Sequence, residues 1–133
     1  MSHYDIVIVG AGIAGSALAY ALSSSTTKAG EPLTIAIVEK RPLPTGAVPL
    51  DEGVDGYDLR ASALTNNTIN WLSDIGIWPQ VKDQRSSEFL DMEVWVEEGT
   101  GRISFGAAEV GESALGEVVE NRVLTASLIN SVR

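Results

Sequence analysis

Two kinds of apolar spacing alternate along this 133-residue chain. Ile6 to Val9 is an unbroken β-branched run between Asp5 and Gly10, the pattern of a buried strand. From Ala14 the spacing turns helical, with Ala14, Ala17, Leu18, Ala21 and Leu22 recurring every three or four residues. A polar link, Ser23 to Pro32, leads to a second apolar run, Leu33 to Val38, which predicts a second strand ended by Glu39. Proline at 42, 44 and 49 and glycine at 46, 53 and 56 then exclude regular structure as far as Asp58. The segment Arg60-Ala61-Ser62-Ala63-Leu64 predicts the start of another helix, with Leu64, Thr68, Leu72 and Ile75 on its inner face. Asn66, Asn67 and Asn70 face solvent in that reading. Gly76 suits a left-handed C′ position, Ile77 the contact after it, and Pro79 ends the run. Met92, Val94 and Val96 alternate with Glu93, Trp95 and Glu97, and Ile103 and Phe105 alternate with Arg102 and Ser104. With Glu98-Gly99-Thr100-Gly101 as the turn, this is a hairpin covering a core on its apolar face only. Leu115 to Glu120 predicts a further short strand, leading into a helix from about Asn121 that meets no stop signal by Arg133.

The glycines between the first strand and helix carry the chemistry. Gly10-Ala11-Gly12-Ile13-Ala14-Gly15 is a G-x-G-x-x-G motif in the strand–turn–helix setting that a dinucleotide site requires. Gly10 permits the tight turn, Gly12 lets the backbone approach a pyrophosphate, and Gly15 lets helix and strand pack closely. The free N–H groups of the helix start then face the phosphates, where the helix dipole favours negative charge. Glu39, at the end of the second strand, can accept hydrogen bonds from an adenosine ribose and repels a 2′-phosphate. The nucleotide expected is therefore FAD or NAD rather than NADP. Lys40 follows it and is counted with the cofactor side of the site, although a solvent-pointing lysine would matter little. The long loop after it is expected to shield the adenosine end. Arg60, at the loop's exit, either pairs with a loop acid or holds an anion such as the pyrophosphate.

Composition narrows the partners. The formal net charge is −9, and from Glu88 to Glu120 nine acids face a single base, Arg102. Such a surface repels nucleic acid and anionic lipid. The chain has no cysteine and one histidine, His3, which leaves no thiol chemistry, disulfide or metal site to expect. No apolar run approaches the ~20 residues of a membrane span. Few residues precede the first strand, so neither a signal nor a transit peptide is expected, and a reducing, soluble compartment is. The fold class expected is α/β: a Rossmann-like FAD-binding βαβ unit plus helix and hairpin. Residues 1–133 form the N-terminal part of that domain, incomplete at its C-terminus.

The order of these pieces resembles the flavin-dependent aromatic hydroxylases of ubiquinone biosynthesis. Four segments carry the resemblance: Asp5 to Gly15; Asp58 to Leu64 with Leu72 to Trp78; Met92 to Trp95; and Leu115 to Asn121. The glycine motif is widely shared, whereas the other three segments together are specific. The resemblance implies that Gly10, Gly12 and Gly15 cradle the FAD pyrophosphate, with the intervening Ala11, Ile13 and Ala14 in the same loop. It also implies that Glu39 takes the adenosine ribose and that Arg60 contacts the pyrophosphate. Relatives often carry an arginine on FAD near the start of the last helix, where Asn121 and Arg122 stand here. The implied activity is hydroxylation of an aromatic, polyprenyl-phenol type ring, with NAD(P)H as reductant and O₂ as oxygen source. Other proteins of ubiquinone biosynthesis are the implied partners. The implied location is the cytoplasm or a membrane periphery, on the matrix side of mitochondria in a eukaryote. No catalytic residue is nominated, because the segments closing the flavin site in relatives lie beyond this sequence. The alternatives are another FAD enzyme (halogenase, prenyl reductase or amine oxidase type), an NAD-dependent dehydrogenase, or a non-catalytic truncated fragment.

Overall fold

The computed structural model describes residues 3–51 and 55–132. Strand β1 (Ile6–Val9) runs into helix α1 (Ile13–Leu22) and returns as β2 (Ile35–Val38). The two strands pair in parallel, Ile6 opposite Ile35 through Val9 opposite Val38. A parallel pair bridged by a helix is the expected βαβ unit. The loop from Glu39 to Arg60 holds no helix or strand among its described residues. Gly53, one of the breakers in that loop, and Arg133, the last residue of the final helix pattern, lie outside the described residues.

The next element corrects the sequence reading. Ala61–Thr65 is not the first turn of a helix but a strand, β3, and helix α2 begins at Asn66 and ends at Asp74. The cause is a distant partner: β3 pairs antiparallel with β7 (Gly116–Glu120), Ala61 opposite Glu120 and Thr65 opposite Gly116. The helical spacing that begins at Leu64 and Thr68 loses, before Asn66, to ladder hydrogen bonds invisible from that window. The inward stripe of α2 is consequently Ile69, Leu72 and Ile75, with Thr68 exposed and Leu64 reaching the same core from the strand. Asn66 is not solvent-facing either, because its side-chain amide donates to the Ala114 carbonyl at 3.0 Å.

Gly76 adopts the left-handed conformation with φ +76°, and Ile77 behind it is fully buried. Pro79 does not end a helix there but lies in the first turn of a new one, α3 (Trp78–Gln84), where its missing N–H costs no intrahelical bond. Strand β4 (Ser87–Phe89) joins the other edge of β7, giving the order β3-β7-β4. β5 (Asp91–Trp95) and β6 (Arg102–Gly106) form the expected antiparallel hairpin, closed by the Val96–Gly101 loop. Its apolar face is not covered, contrary to expectation: Met92, Val94, Ile103 and Phe105 are each two-fifths exposed or more.

Helix α4 (Asn121–Val132) buries Val123, Leu124, Ala126, Ser127, Leu128 and Ile129, so it is the axis of the molecule. Leu72, Ile77, Trp78, Val81 and Val119 close the core around it, and α1 adds Ile13, Ala17 and Tyr20. Tyr20 also donates its hydroxyl to the Ile75 carbonyl at 2.9 Å, fixing α1 to the end of α2. Each large aliphatic side chain buried here contributes roughly 1.5–3 kcal/mol.

Candidate functional site: a cleft at the glycine loop

The glycine motif is shaped by backbone constraints at the start of α1. Gly10 has φ +98°, which suits glycine, and its N–H continues the sheet by donating to the Val38 carbonyl at 2.8 Å. Gly12 caps α1 in an extended conformation, and Ser16 N–H closes the first turn on the Gly12 carbonyl at 2.9 Å. A Cβ built on Gly15 would lie 2.0 Å from the Gly10 carbonyl oxygen, so helix and strand touch there through bare backbone. A Cβ on Gly12 would meet no atom within 4 Å. Gly12 faces open space, and Gly15 faces its own protein.

That space is a cleft of about 730 Å³. Ala11, Gly12 and Ile13 form one end, with Glu39 beside them, and Arg60 and Asn121 form another wall. The last two are neighbours because of strand register: Ala61 lies opposite Glu120, so the next pair outward is Arg60 and Asn121, joined by a hydrogen bond from Asn121 N–H to the Arg60 carbonyl at 2.9 Å. The Asn121 side chain accepts from the Ser62 hydroxyl at 2.6 Å. The long loop, Arg41 through Pro49, walls the remaining side.

Glu39 is tied to the glycine loop. Its Oε2 accepts the Ala11 N–H at 2.8 Å and its Oε1 accepts the Arg41 N–H at 3.0 Å. These bonds, the Ala11 one foremost, hold its carboxyl below the usual glutamate range, so it is ionised at neutral pH. Each oxygen keeps a free lone pair for a hydroxyl donor. The Ala11 N–H is thereby spent on Glu39, so Ala11 lines the cleft without an amide to offer it. Gly10, Ala14, Gly15 and Lys40 do not line the cleft: the first and third shape the loop, and Lys40 is exposed next to it. Arg41 takes the place expected of Lys40, its guanidinium 4.0 Å from Glu39 Oε1.

The opposite wall rests on a charged network absent from the sequence reading. Glu120 is buried; its Oε2 accepts the Asp58 N–H and the Arg122 Nε, each at 2.8 Å. Its Oε1 lies 3.1 Å from Arg85 Nε, an ion pair without hydrogen-bond alignment. Arg85 and Arg122 both donate to the Gly56 carbonyl, at 3.0 and 3.2 Å, and Arg85 also donates to the Leu50 carbonyl at 2.8 Å. One buried carboxylate and two arginines therefore gather the end of the long loop against β7. Arg122, which reaches the cleft wall, has its guanidinium committed to this network. The sequence signal for this network is weak: Glu120 ends the β-run Glu117-Val118-Val119-Glu120 two residues before Arg122.

No cluster of three or more metal-ligating side chains occurs among the described residues, and no helix among them is long and apolar enough to cross a membrane. The features present suit an anionic dinucleotide: free first-turn amides, a glycine open to the cleft, an ionised carboxylate for hydroxyls and Arg60 for charge.

The model of the NAD(P)-binding Rossmann-like domain matches residues 8–73. The mitochondrial ubiquinone biosynthesis monooxygenase COQ6 of Dictyostelium discoideum is 26% identical over 136 residues, covering 98% of this chain and 27% of its own length. The 3-demethoxyubiquinol 3-hydroxylase of Escherichia coli (strain K12) is 33% identical over 125 residues, 93% of this chain and 29% of the relative. The chain thus spans less than a third of the length of these curated relatives. Among solved structures, a mutant of P. aeruginosa PqsL superposes with a TM-score of 0.62 at 20% identity, over 98% of this chain and 31% of that one, which shows a shared fold. The chain is thus homologous over nearly its whole length to ubiquinone-biosynthesis monooxygenases, and its residues 8–73 match a Rossmann-like dinucleotide-binding unit.

Proposed function

We propose that this chain is the N-terminal, FAD-binding part of a monooxygenase that hydroxylates a polyprenyl-phenol type ring, with NAD(P)H as reductant and O₂ as oxygen source. The observation that carries the reading is the single cleft uniting Gly12 and Ile13, Glu39, Arg60 and Asn121. Residues far apart in the sequence meet there, and free turn amides, a carboxylate and an arginine are the groups that recognise an adenosine diphosphate.

In this reading the Gly12 and Ile13 amides and the α1 dipole hold the pyrophosphate, with Arg60 adding charge from the far wall. Glu39 accepts from the ribose hydroxyls through its remaining lone pairs. The bound flavin supplies reduction by NAD(P)H and activation of oxygen, while the protein orients it and excludes water. Asn121, held by Ser62, sets the position of the wall against which the cofactor lies. The small-molecule substrate, contacts with other ubiquinone-biosynthesis proteins and a matrix-side location in a eukaryote belong to the same reading, supported by the names of the relatives.

The test is a visible spectrum of the natural protein purified without added cofactor, followed by titration of the stripped protein with FAD and with NAD. Retained flavin and saturable quenching of FAD fluorescence are expected. Binding of NAD with no binding of FAD would replace this reading by that of a dehydrogenase.

A further inference from the structure

We propose that Ser16 is a positioning residue for the phosphate-facing turn, clamping the backbone at Ala11 jointly with Glu39. Ser16 lies in α1, wholly buried, and its hydroxyl donates to the Ala11 carbonyl at 3.0 Å. A serine inside a helix ordinarily turns its hydroxyl back on the carbonyl four residues earlier. That carbonyl, Gly12's, already receives the Ser16 N–H, and the hydroxyl instead reaches one residue further, out of the helix and into the turn.

The consequence follows from the planarity of the peptide. In a trans peptide the C=O and the N–H point in opposite directions. Ser16 draws the Ala11 carbonyl inward, so the N–H on the other side of the same peptide, that of Gly12, points outward. Gly12 is exposed and lines the cleft. The preceding peptide is fixed separately, because its N–H, that of Ala11, donates to Glu39 at 2.8 Å. Two successive peptide planes are therefore held by two side chains, one buried beneath the turn and one in the cleft. The aim of the Gly12 amide is set before a ligand arrives, which spares the ordering cost of binding. Ser16 touches no ligand in this arrangement and acts through the Ala11–Gly12 peptide. The inference rests on the dinucleotide reading for its purpose, and on the hydrogen bonds alone for its geometry.

The experiment compares Ser16→Ala and Ser16→Cys with the wild-type natural protein by two measurements. The NMR chemical shifts of the Ala11 carbonyl carbon and the Gly12 amide nitrogen, without nucleotide, read the clamp itself, because both atoms belong to the peptide whose carbonyl accepts the Ser16 hydroxyl. Both should move from their wild-type values in both variants, the effect of losing one ordinary hydrogen bond. Affinities for ADP and for adenosine read the purpose. ADP should bind about threefold to tenfold more weakly to both variants, with adenosine unchanged, because only ADP carries the phosphates the turn faces. Cysteine keeps the volume with a weak donor, so its failure to rescue assigns the effect to the hydrogen bond rather than to packing. Unchanged shifts at the Ala11–Gly12 peptide overturn the clamp. Equal losses for ADP and adenosine, or wild-type behaviour of Ser16→Cys, overturn the positioning role in favour of general packing. Wild-type protein that binds neither FAD nor ADP sinks the cofactor reading and the positioning role with it, while the chemical shifts of the Ala11–Gly12 peptide still report whether the clamp exists.

Discussion

At the scale of single residues, the glycines divide into those that protect space for a ligand and those that protect space for the protein itself. A methyl at Gly15 would stand 2.0 Å from the Gly10 carbonyl, so Gly15→Ala should push α1 off β1 and lower the melting temperature. A Cβ on Gly12 meets no protein atom within 4 Å, so Gly12→Val should still fold and should lose flavin retention by filling the approach to the pyrophosphate. A folded, yellow Gly12→Val protein would place the phosphates elsewhere. Glu39 is the residue whose role is most open to measurement. Charge-assisted hydrogen bonds contribute roughly 1.5–3 kcal/mol each, so Glu39→Ala should weaken FAD binding by about tenfold or more. The exposed Lys40 serves as control, and equal FAD affinities for Glu39→Ala and Lys40→Ala would remove Glu39 from the ribose. Its titration gives a further sign. Because the Ala11 and Arg41 amides lower its pKa in the folded state, its stabilising contribution is complete above the usual glutamate range and is lost as pH falls through the lowered value. Melting temperatures of wild type and Glu39→Gln should therefore converge only in that acid window, and a difference independent of pH would contradict this.

Among the elements, most of what the hydrophobic pattern predicted is present, and the largest failure has a distant cause. β1, α1, β2, the hairpin, β7 and α4 are where local spacing puts them. Ala61–Thr65 became a strand because β7, some fifty residues on, offers a ladder to a segment of mixed propensity, and no local window contains that partner. The same pairing also sets the site, since it brings Arg60 beside Asn121. The Glu120 network stiffens that pairing at its outer end. Glu120→Ala would leave Arg85 and Arg122 without their shared counter-charge and free the Asp58 N–H. The expected cost is about 3 kcal/mol, the lower end for breaking a buried pair, because both arginines retain some contact with water. Chemical denaturation would check it, and a loss indistinguishable from that of an exposed pair such as Arg102–Glu93 would show that the network does not hold the loop.

For the whole molecule, the distribution of apolar surface is uneven. α4 is buried almost all round, whereas the hairpin shows Met92, Val94, Ile103 and Phe105 to solvent, and β1 and β2 expose Val7, Val9 and Val38. Open strand edges flanked by such side chains are sites of association. The 133-residue chain on its own should therefore self-associate at micromolar concentration and retain little FAD, both checked by light scattering and absorbance after purification. A stable monomer carrying stoichiometric FAD would refute that expectation. What the sequence by itself determined was local and periodic: the separate strands and helix of the βαβ unit, the turn glycines, the acid after β2 and the start of the last helix. Each is encoded within a dozen or so contiguous residues, where backbone sterics and side-chain spacing act directly. Only the tertiary structure decided that Arg60 and Asn121 share a wall, that Glu120 lies buried between two arginines, that Ala11 gives its amide to Glu39, and that Ser16 turns toward the loop. Those are contacts between groups distant in the chain or a choice among equivalent hydrogen-bond partners, and both are settled by packing rather than by spacing.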